Sequence, residues 1–314
     1  MPLSICLCIV TAAPGAADRR VGELLLGPGA SSLIAESRRT DNVVALHAQR
    51  PEIRDADFAD AASLDDALAG VNRLLIVPTH RADVAANHPH RLRAVLAAAV
   101  RVGVRHIVYP VAAVAPTHLE RQQVASRRLI EQSGLPYTVL RVGCLSDYLL
   151  HRIPIALRSG GWPTSAAEGV GTFISREEAT HAVAAALHSN APSVGLVGVQ
   201  GSQALSAQAL VDTVKQVFGA HIELEPVDDD ALLDGFTSAG VDALTATELV
   251  AVDRAMRVGS LDVGSGRSSC LQLGPVASVR DFLAHRRLDI LLASKHGWPG
   301  VGLFSTTAAS LQFP

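Results

Sequence analysis

Aromatic side chains make up only 4% of the 314 residues, so Ala, Val and Leu must fill whatever core the chain buries. Lysine is scarcer still. Among 27 Lys and Arg residues only Lys215 and Lys295 are lysine, which points to a GC-rich bacterial genome and limits any chemistry that depends on a lysine. The four cysteines, Cys6, Cys8, Cys144 and Cys270, have no metal-ligand spacing and are too few for a disulfide framework, so a reducing cytoplasm is expected. A formal net charge of −3 leaves no basic footprint for nucleic acid or for an anionic membrane surface. No apolar run is long enough to span a bilayer. Leu3 to Val10 is apolar, but no basic residue precedes it, and it reads as a first buried strand rather than a leader. The expected partner is a small molecule, with homo-oligomerisation left open.

Hydrophobic residues nonetheless reach 48%, enough for a substantial core in a chain of this length. Up to about Tyr148, short apolar runs alternate with amphipathic stretches, the pattern of a parallel sheet flanked by helices. Strands are expected at Ile5 to Val10, Ser32 to Ser37, Arg73 to Val77, Arg105 to Tyr109 and Tyr137 to Arg141, with a short further segment at Val43 to Leu46. Helices are expected at Ala17 to Leu26, stopped by Gly27, Pro28 and Gly29, and at Leu64 to Ala69, His90 to Val102 and Arg121 to Gln132. Right-handed crossovers between such units give a doubly wound α/β sheet. After Leu150 the texture changes. Gly160 to Pro163 reads as loop, Glu177 to His188 and Ser206 to Phe218 as helices, and residues 228–258 as mostly helical with few chemical groups in any motif. The predicted organisation is a Rossmann-type dinucleotide-binding domain over residues 1–150 and a smaller, mainly helical C-terminal cap over 151–288 that does not stand alone. Residues 289–314, where periodicity fades, are expected to form a mobile tail.

The first strand leads into Val10-Thr11-Ala12-Ala13-Pro14-Gly15-Ala16-Ala17-Asp18 and then a helix. A dinucleotide fingerprint belongs at this point, with a tight turn and a helix N-terminus aimed at a pyrophosphate. Against the pattern T-G-x-x-G-x-x-G, Thr11 and Gly15 match, while Ala12 stands at the first glycine and Asp18 at the third. The third glycine normally permits close helix–strand packing. Asp18 also brings negative charge toward a phosphate. At roughly 6 Å and an effective dielectric near 20, that repulsion is on the order of 3 kcal/mol, which Arg19 and Arg20 can offset. If Asp18 merely caps the helix, nothing need bind there.

Further motifs keep a family order along the chain. Arg54-Asp-Ala-Asp-Phe-Ala-Asp-Ala-Ala-Ser-Leu64 is similar to G-D-[FL]-x-D-x-x-S-L, and Ile130-Glu-Gln-Ser-Gly-Leu-Pro-Tyr-Thr-Val-Leu-Arg-Val-Gly143 to S-G-L-P-Y-T-x-L-R-P-G. Phe173-Ile-Ser-Arg-Glu-Glu178 is similar to V-S-R-E-D, and Ser278-Val-Arg-Asp-Phe-Leu283 to a closing helix. From Thr11 to Leu283 the chain resembles the atypical short-chain dehydrogenases, in their NmrA-like, quinone-reductase-like branch. The resemblance implies a Rossmann fold and a dinucleotide. Thr11, Ala12, Gly15, Ala16 and Ala17 would face its pyrophosphate. Arg38 would meet an adenosine 2′-phosphate and favour NADP(H) over NAD. Asp57 and Phe58 would border adenine, Val77 and Pro78 the ribose, and Tyr109, Val142 and Gly143 the nicotinamide. Cys144, Leu145, Asp147 and His151 would line the substrate pocket.

The usual acid–base chemistry of short-chain dehydrogenases does not follow. It uses Tyr-x-x-x-Lys, in which lysine lowers the tyrosine pKa. Here Tyr109, Tyr137 and Tyr148 are followed four positions later by Ala113, Arg141 and Arg152. Related reductases carry a lysine where Gln123 stands, before Arg127 and Arg128. The remaining polar candidates are His118, read as lying in the loop between a strand and a helix at the carboxyl end of the sheet, and Tyr148. His80, His88 and His90 have no carboxylate or cysteine to complete a metal site, and no Gly-x-Ser-x-Gly is present. Three functions stay open: an NAD(P)H-dependent reductase of a quinone or conjugated carbonyl, a non-redox cyclase or isomerase reusing the cleft, and a non-catalytic NADP-binding redox sensor.

Overall fold

The computed structural model describes residues 5–9, 32–36, 52–77, 88–114, 117–189, 195–261 and 276–296. The first part of the chain supplies β1 (Ile5–Ile9), β2 (Ser32–Glu36), β3 (Glu52–Ala56), α1 (Ala61–Leu68), β4 (Arg73–Val77), α2 (His88–Val102), β5 (His106–Ala112), α3 (Thr117–Gln132) and β6 (Tyr137–Val142). There follow β7 (Cys144–Leu145), α4 (Tyr148–Ser159), β8 (Gly161–Thr164), β9 (Val170–Ile174), α5 (Arg176–His188) and β10 (Gly195–Val199). The last stretch holds β11 (Ala204–Ser206), α6 (Ala207–Phe218), β12 (Glu223–Pro226), α7 (Asp229–Ser238), α8 (Ala243–Arg257), α9 (Val279–His285) and α10 (Arg287–His296).

Seven strands form one sheet in the order β10-β6-β5-β4-β1-β2-β3. The pairings β3 with β2, β2 with β1, β1 with β4 and β4 with β5 are all parallel. Read from the β3 edge, the order reverses direction between β1 and β4, as in a doubly wound dinucleotide-binding sheet. Local chemistry punctuates the elements. Asp60 caps α1 by accepting from the Ala62 N–H at 2.9 Å, and Ser206 caps α6 through Ala209. α4 stops at Gly160, whose φ of 75° belongs to the left-handed region open to glycine.

The chain divides into two compact units. One comprises Met1–Val111, Thr117–Arg141 and Thr180–Val197; the other Ala112–Pro116, Val142–Ala179 and Gly198–Pro314. Each has its own core. In the first, Leu64, Leu74, Ile76, Leu92, Val95, Ile107, Tyr109, Ile130 and Val139 pack together. In the second, Tyr148, Leu149, Ile153, Trp162, Phe173, Leu210, Phe236, Leu249 and Met256 do so. A three-stranded sheet, β11-β9-β7, and a two-stranded one, β12-β8, belong to this second unit. Among the described residues no helix is long and apolar enough to cross a membrane.

Four sequence expectations need correcting. Gly160 to Pro163 is not loop: Gly161–Thr164 is β8, paired in parallel with β12, and Pro163 is tolerated because this sheet has only edge strands. β3 was not expected, since Ile53 is the one large apolar residue in Glu52–Ala56. It lies at the sheet edge, where charged residues serve well. Asp289 to His296 is not tail but part of α10, with Ile290 and Ala293 buried. His118 is not in a loop; it falls in the first turn of α3. The expected Ala17 to Leu26 helix, the Val43 to Leu46 segment and the stretch Gly297 to Pro314 lie outside the described residues.

Candidate functional site

Ligands of doubly wound sheets bind beyond the carboxyl ends of the strands, at the point where strand order reverses, and in the first unit that point lies between β1 and β4. Thr11, Ala12, Gly15, Ala16, Ala17, Arg38 and Pro78 lie outside the described residues. Val77 ends β4. Asp57 and Phe58 directly follow β3 in a tied turn. The Asp57 N–H donates to Ser63 Oγ at 3.0 Å, and Asp57 Oδ1 accepts from the Ala59 N–H at 2.9 Å. The turn leaves Asp57 exposed and drives Phe58 into the core, with the Arg91 guanidinium 5.9 Å from its ring centre. Tyr109 is fully buried in β5, and burial pushes its pKa up to about 12 against the hydrogen bond with Ser126. It is a core side chain.

In the second unit the sequence candidates fall on one continuous stretch, from the end of β6 to the first turn of α4. The Val142 carbonyl accepts from the Ala113 N–H. Gly143 donates its N–H to the Val199 carbonyl at 2.7 Å. A Cβ there would stand 3.3 Å from Thr172 Oγ1 and 3.4 Å from the Thr172 and Val199 carbonyl oxygens, so a larger residue would press on the Thr172 hydroxyl and leave little room beside the two backbones. Cys144 is buried; burial, with the negative charges of Asp253 and Asp147, pushes its thiol far above the ordinary range. A thiol so placed is inert as a nucleophile. Leu145 is half-buried and packs on the unit's core.

Asp147, Tyr148 and His151 lie around the first turn of α4. Asp147 Oδ1 accepts from Arg176 Nε at 3.3 Å, while its Oδ2 is buried with no hydrogen-bond partner among the described residues. Tyr148 is buried, and burial together with the nearby Glu248 raises its pKa well above the ordinary value. Burial lowers the pKa of half-buried His151 against the pull of Asp242 and Asp147. Arg152, four residues after Tyr148, does not serve the tyrosine. Its guanidinium is buried on Asp253, Nη1 to Oδ1 at 2.5 Å and Nη2 to Oδ2 at 3.2 Å, donates to the Pro163 carbonyl, and stacks 4.7 Å from the Trp162 ring. Thr164 Oγ1 and the Ser165 N–H complete the Asp253 carboxylate at 2.7 and 2.9 Å.

The residues that sequence reasoning missed are on α8. Glu248 is 2% exposed, and its Oε2 has no hydrogen-bond partner among the described residues. Burial, and then the charge of Asp242, raises its pKa to about 8. Asp242 N-caps the same helix through the Thr245 N–H at 3.0 Å. A signal was present: Glu248 and Asp253 interrupt Leu249-Val-Ala-Val252 at both ends, and a carboxylate inside an apolar helical run is bound to be buried with it. Among the described residues no group of three or more His, Cys, Asp or Glu is arranged to hold a metal.

Comparison with known proteins extends this picture. A family model described as NAD(P)H-binding matches residues 13–190. The chain is 29% identical over 282 residues to Quinone oxidoreductase 2 of Escherichia coli strain K12, covering 88% of this chain and 97% of that one. Its fold is similar to the crystal structure of the NADPH-dependent quinone oxidoreductase QOR2 from E. coli complexed with NADPH. There the TM-score is 0.78 at 24% identity, over 90% of this chain and 99% of the other. It is likewise similar to the Citrobacter sp. triphenylmethane reductase complexed with NADP(H), with TM-score 0.76 at 23% identity over 90% and 99%.

Proposed function

The chain belongs to the NAD(P)H-binding family, and from that premise we propose that it is an NADPH-dependent reductase of a quinone or another conjugated carbonyl compound, working in the cytoplasm. The observation that carries the reading is the correspondence with Quinone oxidoreductase 2, which runs over 97% of that relative and so extends through both units. The β1–β4 reversal in the sheet suits a dinucleotide. In this reading Thr11, Ala12, Gly15, Ala16 and Ala17 hold the pyrophosphate, Arg38 selects the 2′-phosphate, Asp57 and Phe58 border adenine, and Val77 and Pro78 the ribose. Val142, Gly143 and the β5 strand of Tyr109 back the nicotinamide. Cys144, Leu145, Asp147, Tyr148 and His151 line the substrate side, with His118 a further polar group. The bound dinucleotide supplies hydride. A quinone needs little more, since its ring oxygens accept protons readily, whereas a saturated ketone needs a well-placed acid, worth about a hundredfold to ten-thousandfold in rate.

The test is a calorimetric titration with NADPH, NADP and NAD, followed by NADPH oxidation, read by loss of near-ultraviolet absorbance, against a panel of quinones, enones and saturated ketones. The expected result is tighter binding of NADP(H) than of NAD, and turnover of quinones ahead of saturated ketones. Arg38→Ala should erode the preference for the 2′-phosphate. Ala12 and Asp18 favour weak binding, and a protein that bound no dinucleotide and reduced nothing would fit the reused-cleft reading instead.

A further inference from the structure

We propose that Arg91, in the first turn of α2, is the flat surface on which the adenine of the dinucleotide stacks, backed by Phe58. The inference rests on the dinucleotide reading above and names a binding residue that this reading leaves out.

Arg91 and Phe58 belong to the same unit and meet there directly. The guanidinium lies over the Phe58 ring, 5.9 Å from its centre. β3 and β4 are joined through parallel pairings with β2 and β1, so their carboxyl ends lie on one side of the sheet. Phe58 comes two residues after β3 and stands on that side, and Arg91 stands with it. A dinucleotide bound at the β1–β4 reversal has its pyrophosphate beside β1 and its adenosine ribose toward the end of β2. The next carboxyl end in that direction is that of β3. The base is thereby carried toward Asp57, Phe58 and the guanidinium.

The Phe58 ring is not itself the surface. It is 4% exposed and packs in the core of the unit, so it presents almost nothing to a ligand. Arg91 is half-buried: it covers the ring and still meets solvent. A guanidinium donates hydrogen bonds in its plane and stacks through its faces, so bonds made at its edge leave stacking unimpaired. Nucleic-acid bases stack on arginine planes as they do on aromatic rings. Beside this surface the exposed carboxylate of Asp57 is an acceptor suited to the exocyclic amine of adenine.

The surface is fixed before any ligand arrives. The Asp57 N–H donates to Ser63 Oγ, and the Asp57 carbonyl accepts from the Asp60 N–H at 3.0 Å, which ties Phe58 to the head of α1. α2 is pinned to α1 near its other end, where Arg101 grips Asp65 through Nε to Oδ2 at 2.9 Å and Nη2 to Oδ1 at 2.7 Å. A platform so held has little freedom to lose on binding, and lost freedom is a main cost of association. Stacking reads the base and not its phosphates. Arg91 therefore sets the affinity for the adenine half, while the preference for NADP(H) stays with Arg38.

The test is calorimetric titration of the full chain with NADPH and with NADH, no substrate being present. Two variants separate flatness from charge. Arg91→Lys keeps the charge and loses the plane; both Kd values should rise about tenfold with their ratio preserved. Arg91→Tyr keeps a flat face without the charge and should hold both Kd values within about threefold of native. The stacking role is overturned if Arg91→Lys binds like the native protein, or if Arg91→Tyr is the weaker binder of the two. It is overturned as well if either variant loses affinity for NADPH alone, which would make Arg91 a reader of the 2′-phosphate. In each of these cases the dinucleotide reading stands. If the native protein binds neither NADPH nor NADH, that reading fails and takes this inference with it.

Discussion

The two units bury charge in opposite ways. In the first, the Arg73 guanidinium, 6% exposed, donates to the Leu187 carbonyl at 2.6 Å. Its titratable neighbour His106 is bonded to Thr138 at 2.8 Å and, through burial and then the arginine charge, has its pKa lowered to about 4. A cation is thus met by a backbone dipole and a neutral ring. In the second unit Arg152 is met by a full carboxylate, Asp253, itself held by Thr164 and Ser165, while Glu248 is buried within reach of another carboxylate, Asp242, and its pKa is raised to about 8. The comparison teaches that the sheet unit answers buried charge with dipoles and neutral groups, whereas the other locks one charged pair together and buries a second carboxyl that holds its proton up to about pH 8.

The sharpest way to break the comparison is to cut the lock. Arg152→Ala leaves Asp253 buried and unpaired and should cost about 3–5 kcal/mol of stability, read from the denaturant midpoint. Arg152→Met combined with Asp253→Leu should recover most of that, because an apolar pair of similar volume needs no countercharge. Next comes pH. Glu248 ionises at about 8 in the fold against 4.5 for a free glutamate. Between those values the folded state holds the extra proton, so stability is highest at the acid end and declines as pH rises, by up to about 1.4 kcal/mol per unit. Glu248→Gln should flatten the curve in this window and stand above the native protein near pH 8; parallel curves would mean Glu248 is ionised throughout. The smallest effect belongs to the sheet unit. Arg73→Met removes the cation but strands only the Leu187 carbonyl, at a cost of roughly 1–3 kcal/mol. A loss as large as that of Arg152→Ala would erase the contrast.

The strands β1, β2, β4, β5 and β6 and the helices α1, α2 and α3 were legible because their apolar residues cluster or recur at strand or helix spacing. Leu74-Leu-Ile76 is apolar throughout, as a strand buried on both faces must be. The elements that hid are those whose residues answer to two demands. Glu52–Ala56 is polar because it closes an edge, and Gly161–Thr164 looks like a turn because Gly and Pro usually make one. The site divides similarly. Asp147, Tyr148 and His151 follow a strand end and were open to motif reading. Glu248 comes a hundred residues after Tyr148, in a helix with no motif, and only the packing of α4 near α8 gives it meaning. Gly143 was read for its place near a cofactor, and locally it sits in a tight fit against the Thr172 hydroxyl and the Thr172 and Val199 carbonyls.

The bond from Arg73 to Leu187 spans 114 residues, and β10, an edge strand of the seven-stranded sheet, is later still. A ribosome adds about 5–20 residues per second, so the growing chain waits several seconds or more between making that arginine and making the carbonyl that accepts from it. Residues 142–179, which belong to the other unit, are threaded through this interval. The sheet unit therefore stays incomplete until Leu187 and β10 have been made, after residues 142–179 of the other unit. A nascent chain halted before Leu187 carries an Arg73 without that acceptor and a sheet without its β10 edge.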